Sequence, residues 1–228
     1  MSNKKKVFVV AVAVCLIAIL SLSSLAWFSD ADEVTNQFMV STSEDPADPD
    51  DIFSVDVWED TDGDGEPDVG EGDDTVGETY EHIYPSQELI KEPHVENTGI
   101  YDQWIRVNVT VTDADAWIAL CNKYAEDGKP YDLAQIFGGH DETLWTRDFV
   151  EGYDATENTL TYVYYLNEKL APEADVVLFE TVTIPSCFDQ YDLATLAGGF
   201  ELNIVAEAVQ ADNTGATAQE AFTLVMGN

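Results

Sequence analysis

The sequence predicts a mainly β fold: an antiparallel two-sheet sandwich of jelly-roll type with short inserted helices, filling residues 52–228. Three observations predict it. Apolar and polar residues alternate in several short runs, the mark of strands with one buried and one wet face. These runs lie far apart in the chain with helical stretches between them, and two stacked antiparallel sheets satisfy that spacing economically. The chain is 45% hydrophobic and 11% aromatic, enough apolar matter to bury a core despite its charge.

Each element has its own signal. Phe53, Val55 and Val57 alternate with Ser54 and Asp56, a half-buried strand. Residues 60–78 form a Gly- and acid-rich loop, and residues 80–96 are mixed and turn-rich. Asn97-Thr98-Gly99 signals a turn. Ile105, Val107, Val109 and Val111 alternate with Arg106, Asn108 and Thr110, the clearest strand in the chain. Trp117, Leu120, Cys121 and Tyr124 recur at helical spacing, with Asp113 placed to cap the helix they imply. A short helix is expected over Leu133 to Phe137, before Gly138-Gly139, and a strand over Leu160 to Leu166. The β-branched run from Val176 to Ile184 reads as one strand, and Gln190 to Leu196 as a short helix closed by Gly198-Gly199. Leu202, Ile204, Ala206 and Ala208 mark the last strand, and Thr217 with Glu220 has the spacing of a capping box before a final helix.

The N-terminus is organised differently. Lys4, Lys5 and Lys6 precede an uncharged apolar or small-residue run from Val7 to Leu25, with Ser21, Ser23, Ser24 and Ala26 near its end. A basic head, an apolar stretch and terminal small residues make a secretory signal peptide over residues 1–27. An uncleaved membrane anchor is the rival, since the run is long enough to span a bilayer. Cys15 lies in the middle of that run and is not placed as a lipidated cysteine. Residues 28–51 then form a polar N-terminal segment, which carries an apolar patch at Phe38, Met39 and Val40.

Formal charge is −36. Three of the nine bases fall within the signal peptide and no acid does, so the remainder carries six bases against 45 acids, a balance of −39. Such a surface repels nucleic acid, whose phosphates need clustered Lys and Arg, and attracts divalent cations and basic partners. A secreted location also permits a disulfide between Cys121 and Cys187, the two cysteines left after cleavage, with two separate thiols as the alternative.

The sharpest local motif begins at Asp60: Asp60-Thr61-Asp62-Gly63-Asp64-Gly65-Glu66-Pro67-Asp68-Val69-Gly70-Glu71. Carboxylates at positions 1, 3 and 5, Gly at 6 and Glu at 12 fit a calcium loop, because calcium takes six to eight oxygens and the glycine lets the chain wrap them round one point. Asp60, Asp62, Asp64, Glu66, Asp68 and Glu71 are the candidate Ca²⁺ ligands. Pro67 at position 8 and a preceding strand depart from a paired helical calcium hand, so the expectation is an isolated loop, against a merely solvated acidic hairpin. Enzyme signatures are weak. His82, His94 and His140 lie far apart and none sits in a His-Glu-x-x-His pattern. No Gly-x-Ser-x-Gly elbow or phosphate-cradling Gly loop with Lys is present. No catalytic residue is expected.

Two stretches carry a resemblance. Leu25-Ala26-Trp27-Phe28-Ser29-Asp30 followed by Thr35-Asn36-Gln37-Phe38, and the run from Pro85 through Lys91, Val95 and Asn97-Thr98-Gly99, resemble the TasA and camelysin family of Gram-positive bacteria. Ser86 stands where that family usually has Gly, and the tail around Ala206–Ala211 and Glu220-Ala221-Phe222 is similar in character. The resemblance covers about a quarter of the chain. It implies export through a SipW-type signal peptidase, a jelly-roll fold and fibre subunits of the biofilm matrix. It also implies head-to-tail homopolymers in which the freed N-terminal segment adds a strand to the next subunit; retention at the surface would then depend on assembly or on an anchoring or accessory protein. A sheet edge presents unpaired N–H and C=O groups, and a donated strand satisfies them. Here the donor is expected over about residues 28–42, with Phe28, Phe38, Met39 and Val40 as its assembly residues. An ordinary strand within its own subunit is the alternative. Two other functions stay open: a cell-surface metalloprotease of camelysin type, and a monomeric calcium-dependent adhesion module.

Overall fold

The computed structural model describes residues 29–35, 37–38, 54–68, 80, 82–196 and 199–227. The expected signal peptide, Phe28, Met39, Val40 and Glu71 lie outside them. The fold is mainly β, all of its strand pairs are antiparallel, and a few short helices are inserted. Twelve strands form one sheet of six and two of three among the described residues, where the sequence reading expects two sheets.

The six-stranded sheet is built round β6 (Gln103–Thr112), β9 (Thr159–Leu166) and β12 (Leu202–Gln210), in the order β2-β1-β12-β6-β9-β8. Here β1 is Ser29–Thr35, β2 is Gln37–Phe38 and β8 is Trp145–Asp154. Alternation dictates this arrangement. Ile105, Val107, Val109, Val111, Leu160, Tyr162, Tyr164, Leu202, Ile204 and Ala206 are buried, while their neighbours in sequence turn to the other face. The second sheet runs β10-β5-β3, from Asp175–Val177, Glu92–Asn97 and Val55–Asp60. The third runs β4-β11-β7, from Glu88–Ile90, Thr181–Thr183 and Phe137–Gly138.

Helix α1 (Ala114–Lys123) buries Trp117, Leu120 and Cys121 as its periodicity predicts. Trp117 packs edge-on to Phe200 with 5.0 Å between ring centres. Asp113 stands at the start of this helix but does not cap it. Its backbone is left-handed (φ 57°), and Asn158 Oδ1 accepts the Asp115 N–H instead. Leu133–Ile136 is a 3₁₀ turn, and α2 (Gln190–Leu193) is a single turn closed by a full capping box between Asp189 and Asp192. Lys123 and Tyr124 both donate to Asp192 and fasten α1 to α2. The last helix, α3 (Ala218–Met226), takes its cap from Thr217 Oγ1, which accepts the Glu220 N–H. It lays Phe222 against Trp104 and Val209 on the other face of the large sheet.

Three sequence expectations change. The run from Val176 to Ile184 is not one strand: it breaks at Leu178 and Phe179, which turn into the core and send β10 and β11 to different sheets. The turn-rich stretch before Glu96 contains β4 and β5, with Pro93 and acids disguising the alternation. Strand β8 escapes sequence reading because a register shift between Asp148 and Gly152 interrupts its period. Among the described residues, no helix is long and apolar enough to cross a membrane.

Candidate functional site

Strand β3 delivers Asp60 to the mouth of the acidic loop. Its side chains alternate: Val55, Val57 and Glu59 face the core, and Asp56, Trp58 and Asp60 face away. The loop then folds back over Asp60, which is fully buried. Asp60 Oδ1 accepts the N–H groups of Asp62 (3.0 Å) and Gly63 (2.6 Å), and Oδ2 accepts that of Gly65 (2.6 Å). Gly63 and Gly65 take φ of 81° and 83°, values a side chain rarely adopts, which is why glycines stand here. Burial pushes the Asp60 carboxyl up, and the three N–H donors outweigh it and hold the group below its ordinary range. The Asp68 N–H donates to the Glu59 carbonyl and closes the loop, while Thr61 donates twice to Asp68 Oδ2.

The result gathers three carboxylates. Asp60, Asp62 and Asp68 each offer an oxygen, and these lie within 4.8 Å of one another. Of the other sequence candidates, Asp64 turns its Oδ1 to the Glu66 N–H, and neither it nor Glu66 belongs to that group. The neighbouring Asp64 carboxylate, and after it slight desolvation and Asp68, push the exposed Asp62 carboxyl above its ordinary range.

Beside the loop lies a face that sequence reading missed. Cross-strand pairing sets Trp58 opposite His94 and Asp60 opposite Glu92. On the other flank, Val177 pairs with His94 and Asp175 with Glu96. His94 is therefore the centre of a face carrying Asp56, Asp60, Glu92, Glu96 and Asp175. Its ring stacks on Trp58 at 3.7 Å and 14°. Its Nδ1 lies 2.7 Å from Asp175 Oδ2, and its buried Nε2 has no hydrogen-bond partner. Burial raises the carboxyls of Asp56, Glu92 and Glu96, and neighbouring acids push the last two further up. The period-2 spacing of Glu92, His94 and Glu96 was the available signal, hidden by Pro93. Below this face, Lys91 and Glu59 form a buried ion pair.

The remaining candidates stand apart. His82 is exposed, and His140 Nδ1–H donates to the Leu178 carbonyl (3.1 Å) beside the Tyr164 ring. No histidine belongs to the three-carboxylate group. Cys121, buried on α1, and Cys187, exposed, are not joined by a disulfide in the structure. Of the assembly residues, Phe38 lies in β2, opposite Val34. The N-terminal strand β1 lies along β12 of the same chain, from Ser29 opposite Val209 to Thr35 opposite Asn203. Comparison with family models, curated proteins and solved structures finds no match to the chain.

Proposed function

We propose that the chain is a secreted structural subunit of an extracellular surface or biofilm-matrix filament, built head-to-tail by donation of its N-terminal strand. The observation that carries this reading is the place of β1. It covers one flank of β12 over seven residue pairs, with the two-residue β2 alone beyond it among the described residues. It begins two residues after the end of the expected signal peptide, so cleavage would free its leading end. Its sequence, Ser-Asp-Ala-Asp-Glu-Val-Thr, holds just two apolar residues. Main-chain hydrogen bonds are then its principal attachment, and these are identical whether the strand comes from the same copy or the next. A heterologous contact of this kind does not close, so it propagates as a fibre. In this reading the sandwich is of jelly-roll type, export uses a SipW-type signal peptidase, and an accessory protein anchors the fibre.

Register supplies the test. Ala31 and Glu207 are directly opposite one another. Two singly substituted mature chains, Ala31→Cys and Glu207→Cys, are mixed, assembled and oxidised, and the joined peptides are mapped by mass spectrometry. Filaments in negative stain together with an intermolecular 31–207 bond are the expected result. Single particles that never form this bond between copies would overturn the reading.

A further inference from the structure

We infer that Asp60, Asp62 and Asp68 bind one calcium ion, and that a water on this ion donates to Nε2 of His94. The inference is independent of assembly. Its geometric basis is the span of the three carboxylates. Calcium holds its oxygens at about 2.3–2.6 Å, so two ligands on opposite sides of one ion stand about 4.8 Å apart. That is the limit within which the three carboxylate oxygens already lie. A carboxylate offers about four lone pairs. Three of those on Asp60 are taken by backbone N–H groups, which fix its orientation and leave one for a cation. Among the described residues, no Lys or Arg forms an ion pair with any of the three: Lys91, Arg106, Lys123 and Arg147 pair with Glu59, Glu207, Asp192 and Asp132.

A cluster of acids alone would be only a solvated loop. His94 supplies separate evidence, because it lies on another strand and is 7% exposed. A carboxylate accepts, so Nδ1 donates to Asp175, and in the neutral imidazole Nε2 is then a lone pair with no partner. A histidine that donates one nitrogen to a carboxylate presents the other as a strengthened base, the arrangement common beside bound metals. Leaving such a group buried and unmet is costly, and an ordered water is the usual remedy.

The ring's setting gives the direction. Trp58 is the cross-strand partner of His94 and its ring lies flat on the imidazole, so the imidazole plane runs along the strand rather than across it. Nδ1 reaches Asp175, at the Glu96 end of β5, so Nε2 faces the Glu92 end, where Asp60 stands opposite. His94 is not itself among the groups within 4.8 Å of one another, so one water bridges the step from ion to ring. Calcium suits this set, since the direct ligands are oxygens and its shell of six to eight leaves places for water.

Isothermal titration of CaCl₂ into the purified, chelator-stripped chain at 150 mM NaCl tests the inference. One ion per chain is expected, with Kd of roughly 10⁻⁴–10⁻³ M, the range of extracellular modules. Asp62 and Asp68 are exposed, so the double substitution Asp62→Asn with Asp68→Asn leaves the fold intact and should weaken binding more than tenfold. The imidazole ¹⁵N resonance of His94 Nε2 should shift on saturation with calcium, a readout that needs no substitution in the core. Absence of saturable heat, or binding unchanged in the double variant, overturns the ion site. An Nε2 resonance unmoved at saturation overturns the water bridge.

Discussion

Strand β12 has two neighbours, and they are held in opposite ways. On one side β6 pairs with it from Leu202–Val111 to Gln210–Gln103; on the other, β1 pairs from Val209–Ser29 to Asn203–Thr35. The main-chain ladders are alike. The side chains are not. β6 sends Ile105, Val107, Val109 and Val111 into the core, each with no exposed surface. On the opposite face, Arg106 Nε (2.6 Å) and Asn108 Nδ2 (2.9 Å) both donate to Glu207 of β12, and the Arg106 guanidinium lies over the Phe222 ring. β1 has a nearly all-polar sequence. The same acceptor strand thus carries one partner anchored by a row of buried side chains and one whose sequence offers just two apolar residues. In the proposed reading, this second partner is the one exchanged between copies.

The largest effect should come from the side-chain-specified partner. Ile105→Ala removes a fully buried side chain from β6 and should cost about 2–5 kcal/mol, read from the urea midpoint at unchanged slope. A loss below about 1 kcal/mol would mean that β6 is no better anchored than β1. A smaller effect is expected at the polar seam. Glu207→Gln keeps the shape and removes the charge that Arg106 and Asn108 share. Burial works against the Arg106 cation and the Glu207 carboxylate more than compensates, holding its pKa above the ordinary value. The neutral amide should therefore cost about 1–3 kcal/mol. The loss should shrink little between 50 and 500 mM NaCl, because the pair is mostly shielded from solvent. A loss that vanishes in salt would place the pair among surface contacts of no consequence.

The contrast also explains what could be read from sequence. β6, β9 and β12 were legible because burial on one face writes a period of two into the chain. The acidic loop was legible because backbone geometry demands Gly63 and Gly65 at fixed places between acids. β5 was not, since Pro93 and three acids or amides break its pattern, although Val95 is fully buried. His94 was visible only as one of three scattered histidines. Its partner Asp175 lies 81 residues away, and only strand pairing unites them. The role of Asp68 was half legible: the motif named it, but the fold rather than the spacing brought it to Asp60 and Asp62. The donor strand was expected over about residues 28–42, with Phe28, Phe38, Met39 and Val40 as its assembly residues; the pairing with β12 runs over Ser29–Thr35, within that span, a stretch with almost no apolar signal of its own.

The smallest effect, and the one that bears most on exchange, should follow removal of β1. Each main-chain hydrogen bond contributes about 0.5–1.5 kcal/mol net, while ordering each residue costs about 1–2 kcal/mol. Over a strand of seven residues with two apolar side chains, these terms nearly cancel. A chain beginning at residue 37 should then melt only about 2–4 °C below one beginning at residue 28, the shift that about 1 kcal/mol produces in a domain of this size. A synthetic peptide of residues 28–38 should restore that difference in a concentration-dependent way, as any ligand of the native state does. A fall of more than about 10 °C would show β1 to be integral to its own subunit. Full stability without the strand, and no response to the peptide, would show instead that β12 does not need this flank covered. Recovery with added peptide is the outcome that makes the strand a portable part, because the flank of β12 would then accept it from outside the chain.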